Sequence, residues 1–418
     1  MISQLSFKNT FLLLVILLFS CGNNNAANEK APTHNKPIAT PPIITGAENT
    51  EAYLAQLSNK KVGIVTNQTG ILQTTKEQNI GGATLTTTET IHLVDFLIQK
   101  NINITKIFAP EHGFRGTADA GEHLKDGKDV KTGLPIISLY GNNKKPKSEQ
   151  LKGLDVLVFD LQDVGARFYT YISTLHYVME ACAENNIPLI VLDRPNPNAH
   201  IIDGPLLEKE NKSFVGMHPV PVLYGMTIGE YGKMINGEKW LNNDIQCQLT
   251  VIPCKNYTHQ SFYSLPVKPS PNLPNDNAIA LYPSLCFFEG TNVSVGRGTN
   301  LQFQLYGAPF FPETDFSFTP APNEGAKNPK YNGTLCHGYN LSATKRLNKL
   351  ELKWLLNAYK IADNKSDFFI SFFTKLAGTK KLQQQIAQGL SETSIRESWQ
   401  KDLDTFKTIR KQYVIYED

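Results

Sequence analysis

Ile104-Thr105-Lys106-Ile107-Phe108-Ala109-Pro110-Glu111-His112-Gly113-Phe114-Arg115-Gly116 begins as a short apolar run and ends in a loop of charge and glycine. Asp119, Glu122 and His123 lie just beyond it. A core strand that hands over to a polar loop is how an α/β enzyme carries its reactive side chains. Glu111, His112, Arg115, Asp119, Glu122 and His123 therefore mark a candidate active-site loop.

The same texture repeats on both sides. Residues 61–66 read as a strand followed by the polar Asn67-Gln68-Thr69-Gly70. Across 88–100, Ile91, Val94 and Leu97/Ile98 recur at helical spacing. Apolar runs at 135–139, 155–159 and 189–192 read as further strands. The last two end in the polar segments 160–169 and 193–198. Ile172, Leu175, Met179 and Cys182 form one helical stripe that stops near Asn185-Asn186. Continuous apolar strands alternating with amphipathic helices predict an α/β fold, a Rossmann-like parallel sheet covered on both faces. Its polar loops then gather along one edge. No G-x-G-x-x-G follows the first strand and no Walker motif occurs, so no cofactor is implied.

Beyond about residue 265 the pattern changes. A Pro/Asn-rich segment at 269–277 precedes Glu289-Gly290-Thr291-Asn292-Val293-Ser294-Val295-Gly296-Arg297-Gly298-Thr299. Leu301, Phe303 and Leu305 then alternate as in a half-buried strand, and Tyr413-Val414-Ile415-Tyr416 reads as a last one. Helical patterns appear at Leu352/Leu355/Leu356/Tyr359 and at Trp399/Leu403/Phe406. A chain of 418 residues is long for one core. The expected division is a Rossmann-like domain over 46–265 and a smaller α+β domain over 266–418. With 41% apolar residues, 19% charged and a net charge of +3, the composition is globular. No basic block points to a nucleic-acid partner.

Residues 1–20 read as a secretory signal: Lys8 leads an apolar stretch at 11–19 that is too short to span a bilayer. Leu18-Phe19-Ser20-Cys21 resembles a bacterial lipobox, which implies cleavage before Cys21 and lipidation of its thiol. An ordinary signal peptide with a chance cysteine is the alternative. Residues 22–45 carry Asn23–Asn25 and four prolines without periodicity, and read as a flexible tether. The expected address is the cell envelope, on the periplasmic face of the outer membrane, with the membrane reached through the lipid at Cys21. Cys182, Cys247, Cys254, Cys286 and Cys336 are an odd set without metal-like spacing; buried free thiols are expected, with room for one disulfide.

Each constellation admits a structural reading beside the functional one. Glu111 and Glu122 could flank a glycosidic bond, or cap a helix and bind an arginine. His112 and His123 fit no compact zinc pattern, so hydrogen bonding is favoured over a metal. Asp160, Asp163 and Arg167 could pair within their loop, as could Asp193 and Arg194, or an arginine there could grip a substrate carboxylate. Tyr169 and Tyr171 could stack on a sugar or pack in the helix. Glu289–Thr299 could be a tight turn, or could close a cleft with Asn292 and Arg297.

Taken together, 66–70, 108–116, 120–122, 139–141, 159–171, 192–197, Gly204-Pro205, Tyr224–Glu230 and 289–299 resemble the exo-β-N-acetylmuramidase family of glycoside hydrolases, from about residue 50 onward. The resemblance implies release of terminal β-1,4-linked N-acetylmuramic acid from the non-reducing end of peptidoglycan fragments or muropeptides, in a cleft between the two domains. It also implies Glu111 and Glu122 as catalytic carboxylates. Asn67, His112, Arg115, His123, Asp163, Arg167, Tyr169, Asp193, Asn196, Asn292 and Arg297 are then expected to hold the sugar. A metal-dependent envelope hydrolase and a non-catalytic muropeptide-binding lipoprotein are the competing readings. Nothing in the chain speaks to its oligomeric state.

Overall fold

Lys61–Thr66 buries every residue after its first, which a strand can do only with layers packed on both faces of its sheet. The computed structural model describes residues 41–80, 83–114 and 126–418. Its strands begin with β1 (Lys61–Thr66), β2 (Ile71–Ile80), β3 (Ala83–His92), β4 (Asn103–Ala109), β5 (Gly127–Lys128) and β6 (Pro135–Ser138). There follow β7 (Val156–Asp160), β8 (Leu189–Leu192), β9 (Ile202–Asp203), β10 (Leu223–Tyr224) and β11 (Leu249–Ile252). The main sheet runs β11-β8-β7-β1-β4-β6-β5, parallel except where β5 meets β6. Counted along the chain, its parallel strands lie in the order 3-2-1-4-5-6, the doubly wound arrangement of a Rossmann-like sheet.

Helices α1 (Leu54–Leu57), α2 (Leu93–Gln99) and α3 (Ser148–Leu151) come before β7; α4 (Tyr171–Glu184) and α5 (Ile228–Gly237) come after it. The period of two along β7 sorts its side chains. Val156 and Val158 join Leu93, Val94 and Leu97 of α2 on one face, while Leu157 and Phe159 join Leu175 and Met179 of α4 on the other. That second core continues without a break into Phe287, Tyr306, Phe373 and Trp399. Pro42–Asp418 accordingly forms one compact unit.

The later chain contains α6 (Asp276–Leu285), a three-stranded sheet of β12 (Leu305–Ala308), β13 (Ser317–Phe318) and β14 (Cys336–Asn340), and then α7 (Lys353–Ile361), α8 (Phe373–Ala377), α9 (Lys381–Ala387) and α10 (Glu392–Arg410). Its last residues return to the first sheet. Tyr416 Oη donates to Asp193 Oδ2 at 2.6 Å, and the amides of Ile415 and Tyr416 donate to Glu230 Oε1 at 2.8 and 3.2 Å. His259 bridges Glu230 and Asp418, each at 2.8 Å, and Arg410 holds Asp418 at 2.6 Å.

Three expectations are corrected here. The helix expected over 88–100 is only Leu93–Gln99, because 88–92 belong to the β2–β3 hairpin, paired from Ile71↔His92 to Ile80↔Ala83. Leu301 and Phe303 do not alternate in a strand: β12 starts at Leu305, and Phe303 sits at φ 53° in a turn. Residues 413–416 form no strand; they are held by the side-chain network above. Cys182, Cys247, Cys254, Cys286 and Cys336 are buried free thiols. Residues 1–40, with the lipobox, lie outside the described residues.

Candidate active site

Strand order reverses between β1 and β7, and doubly wound sheets bind ligands beyond the carboxyl ends of their strands at such a point. Next door, β4 ends at Ala109 because Pro110 has no amide hydrogen to give the ladder. Gly113 N closes a turn on Pro110 O at 3.0 Å, with His112 at φ 71°. A left-handed histidine costs on the order of 1 kcal/mol. In exchange, Glu111 and His112 both face a cavity of about 350 Å³.

The Glu111 carboxylate is met by hydroxyls from two other segments. Tyr140, just past β6, donates to Oε1 at 3.2 Å, and Thr170, at the start of α4, donates to Oε2 at 2.8 Å. The position at the α4 N-terminus also favours a negative charge. Behind the side chain, Tyr171 Oη donates to the Glu111 carbonyl at 3.4 Å and accepts from Asn67 Nδ2 at 2.6 Å. Asn67 Oδ1 in turn accepts from Thr69 N and Oγ1 at 2.9 and 2.7 Å. Asn67 is buried, and it supports the Glu111 turn from behind.

The later part of the chain supplies the remaining lining, including Ser270, Asn272, Tyr282, Glu289, Arg297 and Phe303. Arg297 Nε donates to Glu289 Oε1 at 2.5 Å, and its guanidinium lies 5.2 Å from the centre of the Phe303 ring. Burial works against the Arg297 charge, but the Glu289 carboxylate outweighs it and raises the pKa. Tyr169 presents its ring to the cavity while its hydroxyl donates to Pro269 O at 2.8 Å.

Of the residues expected to act on substrate, Glu111, His112, Tyr169 and Arg297 are thus brought together. Others are engaged elsewhere. Arg167 donates from Nη1 to Pro205 O and Val220 O, and from Nη2 to Leu376 O and Ala377 O, at 2.7–2.9 Å. It joins the first sheet to the C-terminal end of α8 and has no free edge for a sugar. Gly378 permits this approach, since a Cβ there would meet Arg167 Nη2 at 2.6 Å. Asp163 does not pair with Arg167: its Oδ2 accepts from Gly165 N at 2.8 Å and from Tyr224 Oη. Burial pushes the Asp163 carboxyl up to about 6 against the pull of those donors. Nor does the Asp193 carboxylate pair with the Arg194 guanidinium, although it accepts from Arg194 N at 3.0 Å. It accepts from Thr227 Oγ1 and Gly229 N, whereas Arg194 grips Asp160 at 2.6 and 3.0 Å. Asn196 donates to Met226 O at 2.8 Å and packs on Gly165, where a Cβ would lie 2.2 Å from its Oδ1. Asn292 lies off the cavity lining, and its backbone N donates to Phe368 O at 3.0 Å. Arg115, Glu122 and His123 lie outside the described residues.

Sequence reasoning passed over Tyr140, Thr170 and Glu289 as site residues, although each sits in a segment it singled out. Tyr140 follows a strand end, which is the cue that identified Glu111. Glu289 looked like turn chemistry because its arginine partner is eight positions away.

Comparison with known proteins places the whole chain in one family. The family model described as exo-beta-N-acetylmuramidase NamZ, N-terminal, matches residues 62–277, and its C-terminal counterpart matches 280–416. The peptidoglycan beta-N-acetylmuramidase NamZ of Bacillus subtilis (strain 168) is 38% identical over 438 residues, spanning 98% of this chain and 100% of that protein. Two crystal structures of DUF1343 family proteins from Bacteroides fragilis NCTC 9343 share the fold. One has a TM-score of 0.80 at 45% identity, over 90% of this chain and 100% of that one. The other has a TM-score of 0.74 at 29% identity, over 90% of this chain and 99% of that one. With both halves matched and a relative aligned from end to end, the chain belongs to the exo-β-N-acetylmuramidase NamZ family.

Proposed function

We propose that this protein is an exo-acting glycoside hydrolase that releases terminal β-1,4-linked N-acetylmuramic acid from the non-reducing end of peptidoglycan fragments. The observation that carries the reading is Glu111, set in the wall of a cavity of about 350 Å³, in a chain related along its whole length to a peptidoglycan β-N-acetylmuramidase. Such a space suits a single substituted sugar ring, as exo action requires. Aromatic faces from Tyr169, Tyr282 and Phe303 suit the apolar face of that ring.

Glu111 acts as a catalytic carboxylate. Its partners Tyr140 and Thr170 are hydroxyls, which donate to a carboxylate and accept from a carboxylic acid. The site therefore accommodates both protonation states that a general acid or base passes through. Glu122 is its partner in this reading. One of the two gives a proton to the glycosidic oxygen as the bond to C1 breaks; the other either takes a proton from the water that bonds to C1, or bonds to C1 itself and is released when water hydrolyses that ester. Glu289 also reaches the cavity, but its Oε1 is taken up by Arg297 at 2.5 Å. The test is release from a chromogenic β-N-acetylmuraminide and from its N-acetylglucosaminide counterpart. Release from the muraminide alone, lost in Glu111→Gln, is expected; muropeptide binding without turnover would favour a binding lipoprotein instead.

We further place the enzyme in the cell envelope, lipid-anchored through Cys21 at the periplasmic face of the outer membrane. The Lys8-led apolar stretch, the Leu18–Cys21 pattern and the tether after it support this address. A Cys21→Ala protein should leave the membrane fraction; if it still sediments with membranes, the anchor is wrong.

A further inference from the structure

The substrate assigned above differs from an N-acetylglucosaminide by one group, a lactyl ether ending in a carboxylate. A cavity that separates the two needs a cation with hydrogens to give. Among the described residues Arg297 is the only lysine or arginine lining the cavity. Arg167 has each Nη atom bonded to two carbonyl oxygens, and Arg194 is held by Asp160 and Ile71 O.

Arg297 is different. Glu289 holds its Nε edge at 2.5 Å and the Phe303 ring lies 5.2 Å from the guanidinium carbon. Those two contacts set the position and plane of the group. Among the described residues, nothing accepts a hydrogen bond from Nη1 or Nη2, and about a quarter of the side chain, 24%, is exposed. A fixed guanidinium with its outer edge unengaged has the geometry for a two-point grip on a carboxylate. Preorganisation lowers the entropic cost of that grip.

We propose that the Nη edge of Arg297 is the subsite for the lactyl carboxylate, and that this contact is what distinguishes muraminides from glucosaminides. The proposal rests on the muramidase reading and assigns its specificity to one side chain. A glucosaminide would leave the guanidinium without its partner, the kind of mismatch that discriminates more strongly than a missing methylene.

The test compares a chromogenic β-N-acetylmuraminide, as the free lactyl acid, with its lactyl primary amide, on the wild-type protein, Arg297→Gln and Arg297→Lys. Wild type should prefer the acid by about 10- to 100-fold in kcat/KM, the range for one hydrogen-bonded charge contact. The preference should lie mainly in KM, vanish in Arg297→Gln and return only in part in Arg297→Lys, which offers a point charge without the fork. Equal turnover of acid and amide by wild type overturns the subsite, and needs no variant to fold. So does an acid preference that survives in Arg297→Gln. Turnover of neither compound by folded wild-type protein strikes instead at the muramidase reading beneath it.

Discussion

Arg167 and Arg297 both sit in glycine-containing loops and both turn inward, yet the regions around them differ. Around Arg167, backbone carbonyls from two distant parts of the chain close on the guanidinium until only Nε is left without a partner. Burial lowers its pKa to about 9, so it remains charged at neutral pH. Around Arg297, one carboxylate and one aromatic ring fix the group and leave an edge facing a cavity. The first region is a joint and the second is a site. What separates them is unused hydrogen-bonding capacity, which residue type and motif do not reveal.

That contrast can be broken by experiment. Glu111→Gln removes the ionisable group from the cavity side and should cost roughly 10²- to 10⁴-fold in kcat. Its melting temperature should stay near that of wild type, and a collapse in stability would make Glu111 part of the joint. Arg167→Met should do the reverse. It leaves carbonyls of Pro205, Val220, Leu376 and Ala377 without their donor, at a cost of roughly 3–5 kcal/mol in chemical denaturation. A stable but inactive Arg167→Met protein would return Arg167 to the site.

Asp163 sharpens the comparison through pH. Its folded pKa of about 6 lies above the ordinary 3.8, so the unfolded chain loses its proton first as the pH rises. Its effect is therefore a loss of stability between about pH 4 and 6, of up to about 3 kcal/mol, and no change above that. Asp163→Asn should flatten this share of the stability–pH curve relative to wild type. His176, lowered to about 4 by burial, acts oppositely: its neutral form loses ground as pH falls from about 6.5. The smallest effect belongs to Tyr140→Phe, which removes one hydroxyl from Glu111 and should cost about tenfold or less in kcat/KM.

Legibility followed the same division. The strands at 61–66, 156–160 and 189–192 were readable because apolar runs with helices between them have few other folds to adopt. Glu111, His112, Tyr169 and Arg297 were readable as strand-end or loop polar groups. The β2–β3 hairpin escaped because its strands are rich in threonine and carry few apolar residues to show an alternation, although Gly81-Gly82 between them was a turn signal. Asp193, Asn196 and Arg167 were read as ligand contacts because a buried polar network and a binding site draw on the same residue types. Only their partners, more than thirty positions away in most cases, tell them apart.

The attachment of the last residues has a consequence for synthesis. Asp193, Glu230 and His259 leave the ribosome long before Ile415, Tyr416 and Asp418, the groups that complete their hydrogen bonds. Until then the growing chain carries two acidic groups and His259 in a half-built interior, with water in place of those last partners. The first sheet can form early but cannot dry out on that side until residues 415–418 have been made. A ribosome stalled just before residue 415 would leave a nascent chain whose sheet is drawn but not sealed.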